Sequence, residues 1–162
     1  MNIRHADITD LDALADIESV SYPAAEGASR ESIKARIGHF PDCFWILENE
    51  NGEILSFING MLTDKYDLTD DMYDDPSMHD KNGKRLMIFS VVTHPKHLHC
   101  GYASMVMQKV IEDMTAEGKA GIVLTCKEKL LGFYSRFGFE NEGVSVSTHG
   151  DAVWYQMRLR LQ

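Results

Sequence analysis

The 162-residue sequence predicts a single α/β domain, and three observations carry that expectation. Stretches with apolar residues at helical spacing alternate with short runs rich in β-branched and aromatic residues. With 44% hydrophobic residues the chain can fill one substantial core but is too short for two comfortable ones. No internal repeat, low-complexity stretch or composition shift marks a boundary, so 1–162 reads as one unit.

The first helix is expected from Thr9 as its cap, with Leu11, Leu14, Ala15, Ile17 and Val20 near helical spacing, ending before Tyr22-Pro23. A small-residue loop, Pro23 to Gly27, then reads as mobile. Ser29 opens a second helix carrying Ile33 and Ile37, which breaks near Gly38. Phe44 to Leu47 and Ile54 to Ile58 read as a hairpin, because the polar run Glu48 to Gly52 between them is rich in turn residues. From Thr63 to Asn82 apolar periodicity is lost and aspartates accumulate, which predicts a long solvated excursion with one short helix.

Leu86 to Thr93 is apolar at nearly every position and reads as a central strand buried on both faces. Tyr102 to Ala116 follows as a helix with Met105, Val106, Val110, Ile111 and Met114 on its apolar stripe and Gly118 as its stop. Gly121 to Cys126 is a short buried strand, and Leu130 to Phe137 a short helix ended by Gly138. Phe139 to Val146 and Ala152 to Leu161 form a closing hairpin turned at 149–151.

Charge and composition narrow the function. A net charge of −9 argues against a surface that tracks nucleic-acid phosphates and favours cationic partners such as amines. No apolar run approaches the ~20 residues of a membrane span, and no basic segment followed by an apolar one opens the chain, so a soluble cytoplasmic protein is expected. Cys43, Cys100 and Cys126 are odd in number and far apart, which suggests reduced thiols. The aspartate-rich excursion lacks the central glycine and terminal glutamate of a calcium loop, and no metal site is expected. It could instead draw a cationic amine by its long-range field.

The segment richest in chemistry runs from Val91 to Ser104, where the strand stops at His94-Pro95 and a turn containing Gly101 opens a helix. A helix start offers unpaired N–H groups and the positive end of the macrodipole, which suits a pyrophosphate. The segment has neither the lysine of a P-loop nor the three spaced glycines of a dinucleotide site. Leu98-His99-Cys100-Gly101-Tyr102-Ala103 resembles the pyrophosphate loop of the GNAT superfamily of acyl-CoA N-acyltransferases, whose pattern is Gln/Arg-x-x-Gly-x-Gly/Ala. Leu98 departs from that pattern at its first position. Some thirty residues on, Phe133-Tyr134-Ser135-Arg136-Phe137-Gly138-Phe139 resembles the family's second signature. Two ordered motifs at this separation are far more specific than either alone.

The resemblance spans roughly the whole chain and implies the GNAT fold: a mixed, mostly antiparallel sheet with helices on both faces, opened between the strands ending near Thr93 and Cys126. It implies acetyl-CoA as acyl donor, with the main chain of Val91, Val92 and Thr93 aligning the pantetheine. His99, Cys100, Gly101, Tyr102, Ala103 and Ser104 would hold the pyrophosphate. It implies Tyr134 as the acid that protonates the departing thiolate, and Tyr22 and Pro23 as part of a loop that covers the acceptor; Glu26, in the small-residue loop that follows, is a further candidate to touch the substrate. Within the superfamily the sequence is most similar to the arylalkylamine, serotonin-type, N-acetyltransferases. In those enzymes a pair of histidines on the central strand is associated with deprotonating the amine, and Met87 and Phe89 stand at the aligned positions here.

The chemistry fits this reading. A coenzyme A thiolate, with a thiol pKa of ~8.5, leaves more readily when a phenol of pKa ~10 donates to the sulfur. At pH 7 only about one amine in a thousand is neutral, so a base or water relay is expected, with His94, Glu26 or an aspartate of the excursion as candidates. Cys100 and Cys126 have no evident histidine–acid relay, which makes an acyl-cysteine route the weaker option. The expected function is direct acetyl transfer to a small primary amine. The alternatives are a protein or peptide N-acetyltransferase and a non-catalytic acyl-CoA-binding module. Family members often pair through sheet edges, and the resemblance admits a homodimer without requiring one.

Overall fold

The computed structural model describes residues 1–147 and 149–162. Its strands are β1 (Asn2–Arg4), β2 (Phe44–Glu48), β3 (Ile54–Thr63), β4 (Arg85–Thr93), β5 (Gly121–Cys126), β6 (Glu140–Val144) and β7 (Tyr155–Arg160). Its helices are α1 (Leu11–Ser21), α2 (Arg30–His39), α3 (Asp70–Asp74), α4 (Tyr102–Ala116) and α5 (Leu131–Ser135). The strands form one mixed seven-stranded sheet in the order β1-β2-β3-β4-β5-β7-β6, flanked by the helices. The pairs β1/β2, β2/β3, β5/β7 and β6/β7 are antiparallel, and β4/β5 is parallel. This is the α/β, mixed-sheet GNAT architecture that the sequence implies.

The chain forms two compact units, Met1–Gly60 with Ser90–Val110, and Met61–Phe89 with Ile111–Gln162. The first has a core of Leu11, Leu14, Ile17, Ile33, Ile37, Phe44, Ile46, Ile54, Phe57 and Val92. Each such side chain removed from water contributes about 1.5–3 kcal/mol. In the second, Leu86, Met87, Ile122, Val123 and Met157 are fully buried.

Several local readings change. Thr9 does not cap the first helix: Asp7 caps the 3₁₀ turn Ile8–Asp10 that leads into α1, and the main-chain N–H of Thr9 donates to the Asp7 carboxylate at 2.9 Å. A carboxylate accepts more strongly than a hydroxyl, and Asp7 lies two residues earlier, just ahead of the 3₁₀ turn. Strand β1, too short to show an alternation, is added, with its Arg4 guanidinium bound to both oxygens of Asp10 at 2.8 Å. Strand β3 runs five residues beyond the expected Ile58, to Thr63, and every residue in it is buried. Strand β4 is buried on both faces only over Leu86, Met87 and Ile88; from Phe89 onward it alternates, leaving Phe89, Val91 and Thr93 half-buried.

Candidate active site

In the first unit, the predicted cofactor residues form one continuous run. β4 ends at Thr93, a proline-led 3₁₀ turn spans Pro95–His97, and α4 begins at Tyr102. The Thr93 hydroxyl lies 3.3 Å from Ser56 Oγ, which also donates to the carbonyl of Val92 at 2.7 Å. Between the turn and the helix the backbone passes twice through the left-handed region, at His99 (φ 63°) and at Gly101 (φ 79°). Such alternation turns main-chain N–H groups toward one side, as in anion-binding nests. Leu98, His99 and Cys100 are exposed.

The carbonyl of Gly101 accepts the first helical bond, from the Met105 N–H at 3.2 Å. The N–H groups of Tyr102, Ala103 and Ser104 therefore point out of the helix start without an intrahelical acceptor. No acidic residue sits in the first turn of this 15-residue helix to satisfy its dipole. A Cβ added at Gly101 would meet no atom within 4 Å, so the space ahead of the helix is open. An open, unneutralised helix start with a glycine at positive φ fits a pyrophosphate.

The residues predicted to meet the acceptor, Tyr22, Pro23 and Glu26, lie in the same unit. Tyr22 ends α1, and its hydroxyl donates to the carbonyl of Val91 at 3.1 Å, so the structure joins these two predicted residues directly. Pro23 is exposed and accepts from the N–H of Glu26 at 2.8 Å and of Gly27 at 3.0 Å, closing a turn in which Glu26 is half-buried. The loop read as mobile is thus hydrogen-bonded within itself. His94 spends its Nδ1 lone pair on the N–H of Lys96 at 3.1 Å. That bond assigns the proton to Nε2 and makes the ring a donor there rather than a base.

Beneath the loop lies a group that sequence reasoning missed. Glu18, with 2% of its surface exposed, accepts from the N–H of Ala28 at 3.0 Å and from the hydroxyl of Ser90 at 3.2 Å. The amide of Asn59 donates to Ser90 Oγ at 2.5 Å and accepts from the Arg36 guanidinium at 3.0 Å. All four side chains are buried. A signal was present: each is a polar residue on an otherwise apolar face, Glu18 one turn after Leu14, and Asn59 and Ser90 inside strand runs.

Tyr134 belongs to the second unit. It lies on α5, is 5% exposed, and its ring meets Phe133 and Phe139 edge-on at 5.0 and 5.9 Å. Its carbonyl accepts from the N–H of Phe137 at 3.0 Å, closing the helix just before Gly138. Cys126 in this unit is buried, and that burial pushes its thiol up to about 11. It stays protonated at neutral pH and is a poor nucleophile. Alkylation of the native protein by iodoacetamide at about pH 8, near the ordinary thiol pKa, is expected to mark exposed Cys100 and spare Cys43 and Cys126. Peptide mass mapping reads the outcome, and early labelling of Cys126 would contradict it.

Residues 11–139 match the model of the acetyltransferase (GNAT) family. Over 56 residues, 35% of this chain and 28% of the relative, the sequence is 36% identical to GCN5-related N-acetyltransferase 1, chloroplastic, of Arabidopsis thaliana. Over 114 residues, 70% of this chain and 54% of the relative, it is 25% identical to serotonin N-acetyltransferase of Mesocricetus auratus. The chain spans about half the length, or less, of these curated relatives. Among solved structures, the GphF GNAT-like decarboxylase in complex with isobutyryl-CoA superposes with a TM-score of 0.85 at 20% identity, covering 100% of both chains, a likeness of fold. With the family model matched from the first turn of α1 to Phe139 just ahead of β6, this chain belongs to the GNAT acetyltransferase family of acyltransferases.

Proposed function

We propose that residues 1–162 act as one acyltransferase domain that moves an acetyl group from acetyl-CoA directly to the primary amine of a small molecule, an arylalkylamine by preference. The observation that carries this reading is the open start of α4, where Gly101 at φ 79° leaves room for a pyrophosphate and three N–H groups face it. The main chain of Val91 to Thr93 aligns the pantetheine, and the run His99 to Ser104 holds the phosphates. Tyr22, Pro23 and Glu26 receive the acceptor, with the Glu26 carboxylate facing its ammonium form.

In the reaction the neutral amine nitrogen attacks the thioester carbonyl, a C–N bond forms and the C–S bond breaks. Tyr134 donates its phenolic proton to the departing sulfur, and the proton lost by the amine passes to water. Positioning supplies most of the acceleration, because it turns a bimolecular encounter into an oriented one. Met87 and Phe89, where the arylalkylamine enzymes carry histidines, favour the second reading of a binding module without turnover.

Release of free thiol from acetyl-CoA, measured with arylalkylamines, polyamines and peptide N-termini, decides among these. Fastest release with arylalkylamines supports the proposal, and faster release with peptides makes the chain a peptide N-acetyltransferase. Binding of coenzyme A without release leaves only the module. Gly101→Val should raise the KM for acetyl-CoA about tenfold, ~1.4 kcal/mol, with a smaller effect on kcat, because a branched side chain both strains φ 79° and fills the cradle. An unchanged KM would remove the α4 start from cofactor binding.

A further inference from the structure

The acidic excursion between β3 and β4 is anchored, not loose. The buried Arg158 guanidinium stacks 3.6 Å over the Tyr66 ring, donates to the Tyr66 carbonyl at 2.8 Å and pairs with Asp67 at 2.8 Å. The Ser147 hydroxyl donates to Asp70 at 2.6 Å, while Leu68 and Met72 are 2% and 1% exposed. Farther along, the His79 ring accepts from the N–H of Leu62 at 3.1 Å. These ties, all within the second unit, fix the short helix α3 and so fix the direction of Tyr73.

Tyr73 spans two strands. Its ring lies 4.8 Å from that of Phe89 on β4, and its hydroxyl is 3.3 Å from the Thr125 hydroxyl on β5. The parallel ladder between these strands runs through Arg85↔Gly121 and Leu86↔Ile122 to Met87↔Val123. Phe89 and Thr125 each lie two residues beyond the last pair, on the same face of the sheet by the period of two. Tyr73 therefore stands across β4 and β5 where their ladder stops. Tyr73, Phe89 and Thr125 are half-buried, and the wall they form holds aromatic and hydroxyl groups rather than carboxylates or amines. A fixed aromatic pair of this kind suits another ring in offset or edge-on contact and disfavours a hydrated, multiply charged chain.

We propose that Tyr73 is a specificity-determining residue of this acyltransferase: with Phe89 it forms an aromatic wall that receives the carbon skeleton of the acceptor and selects primary amines bearing an aromatic ring. This rests on the reading of the chain as an amine acyltransferase and goes beyond it by assigning selection to the β3–β4 excursion. Thr125 fixes the ring's orientation and Phe89 supplies its second face. Asp67 and Asp70 serve the wall only by holding α3 in place.

The experiment is calorimetric titration of phenethylamine and of butylamine into the full chain saturated with coenzyme A, which needs no turnover. Tyr73→Phe keeps the ring and should hold phenethylamine within about twofold of wild type. Tyr73→Leu removes the ring and should weaken phenethylamine about five- to tenfold while butylamine and coenzyme A stay unchanged. Equal losses for both amines, a loss of coenzyme A affinity, no change, or no phenethylamine binding by the wild type would each overturn the proposal. So would a shift in preference between acetyl-CoA and butyryl-CoA in place of a shift between amines, which would put the wall against the acyl group. Wild-type thiol release without any effect of Tyr73 refutes the wall and leaves the acyltransferase standing. Ring-dependent binding without thiol release refutes the acyltransferase and leaves the wall.

Discussion

Replacing Tyr134 with phenylalanine is expected to lower kcat about a hundredfold or more while changing the KM for acetyl-CoA by no more than about twofold, the range for a positioned proton donor. The substitution isolates one atom. Phenylalanine keeps the edge-on contacts with Phe133 and Phe139 and leaves the carbonyl that accepts from Phe137, so α5 should hold its shape. What disappears is the O–H, the group needed only as charge builds on sulfur. An interaction made in the transition state and absent from the ground state shows in kcat, not in binding. Steady-state kinetics with the best amine of the panel, beside a melting curve, checks this. A rate within about twofold of wild type would remove Tyr134 from the mechanism, because even the weakest general acids contribute more. A parallel fall in melting temperature would mark the residue as core.

How far the sequence reaches differs between parts of the molecule, for physical reasons. Helices α1, α2 and α4 and strands β2, β4 and β5 were readable because a local period or an apolar run sets them and turn residues end them. The turn that opens α4 was readable because a short motif of consecutive residues around Gly101 encodes it directly. The interior polar chain was not. Glu18, Arg36, Asn59 and Ser90 come from four different elements, and nothing in the spacing of 18, 36, 59 and 90 announces that they meet. Each was visible only as a polar residue on an apolar face, which is also how solvent-facing exceptions look. The excursion misled for a related reason. Its aspartates signal solvation, and several are exposed, but Asp67 and Asp70 among them, with Tyr66, Leu68, Met72 and Tyr73, carry the contacts that place it. Their partners, Arg158, Phe89 and Thr125, lie as much as ninety-odd residues away in the sequence, as in the Tyr66–Arg158 pair.

The interior chain carries the largest expected effect on stability. Glu18→Ala should cost about 2–4 kcal/mol, because it strips a buried acceptor from both the Ala28 N–H and the Ser90 hydroxyl. For a chain of this size that corresponds to a melting temperature about 5–15 °C lower. Glu18→Gln should cost less, since its carbonyl still serves one of the two donors. A Ser90→Ala substitution should cost less in the Glu18→Ala background than in the wild type, because the bond it removes is already gone. The loop gives a second readout. Ala28 closes the turn that carries Tyr22, Pro23 and Glu26, and Tyr22 in turn holds the carbonyl of Val91. If Tyr22, Pro23 and Glu26 receive the acceptor as proposed, loosening that turn should raise the KM for the amine more than the KM for acetyl-CoA, because Glu18 bonds to Ala28 in the same loop. If Glu18→Ala melts within a degree or two of wild type, the hydrogen bonds from Glu26 and Gly27 to Pro23 suffice to hold the loop. If it melts lower but shifts both KM values equally, Glu18 supports the core of the first unit and has no separate hold on the loop of Tyr22 to Ala28.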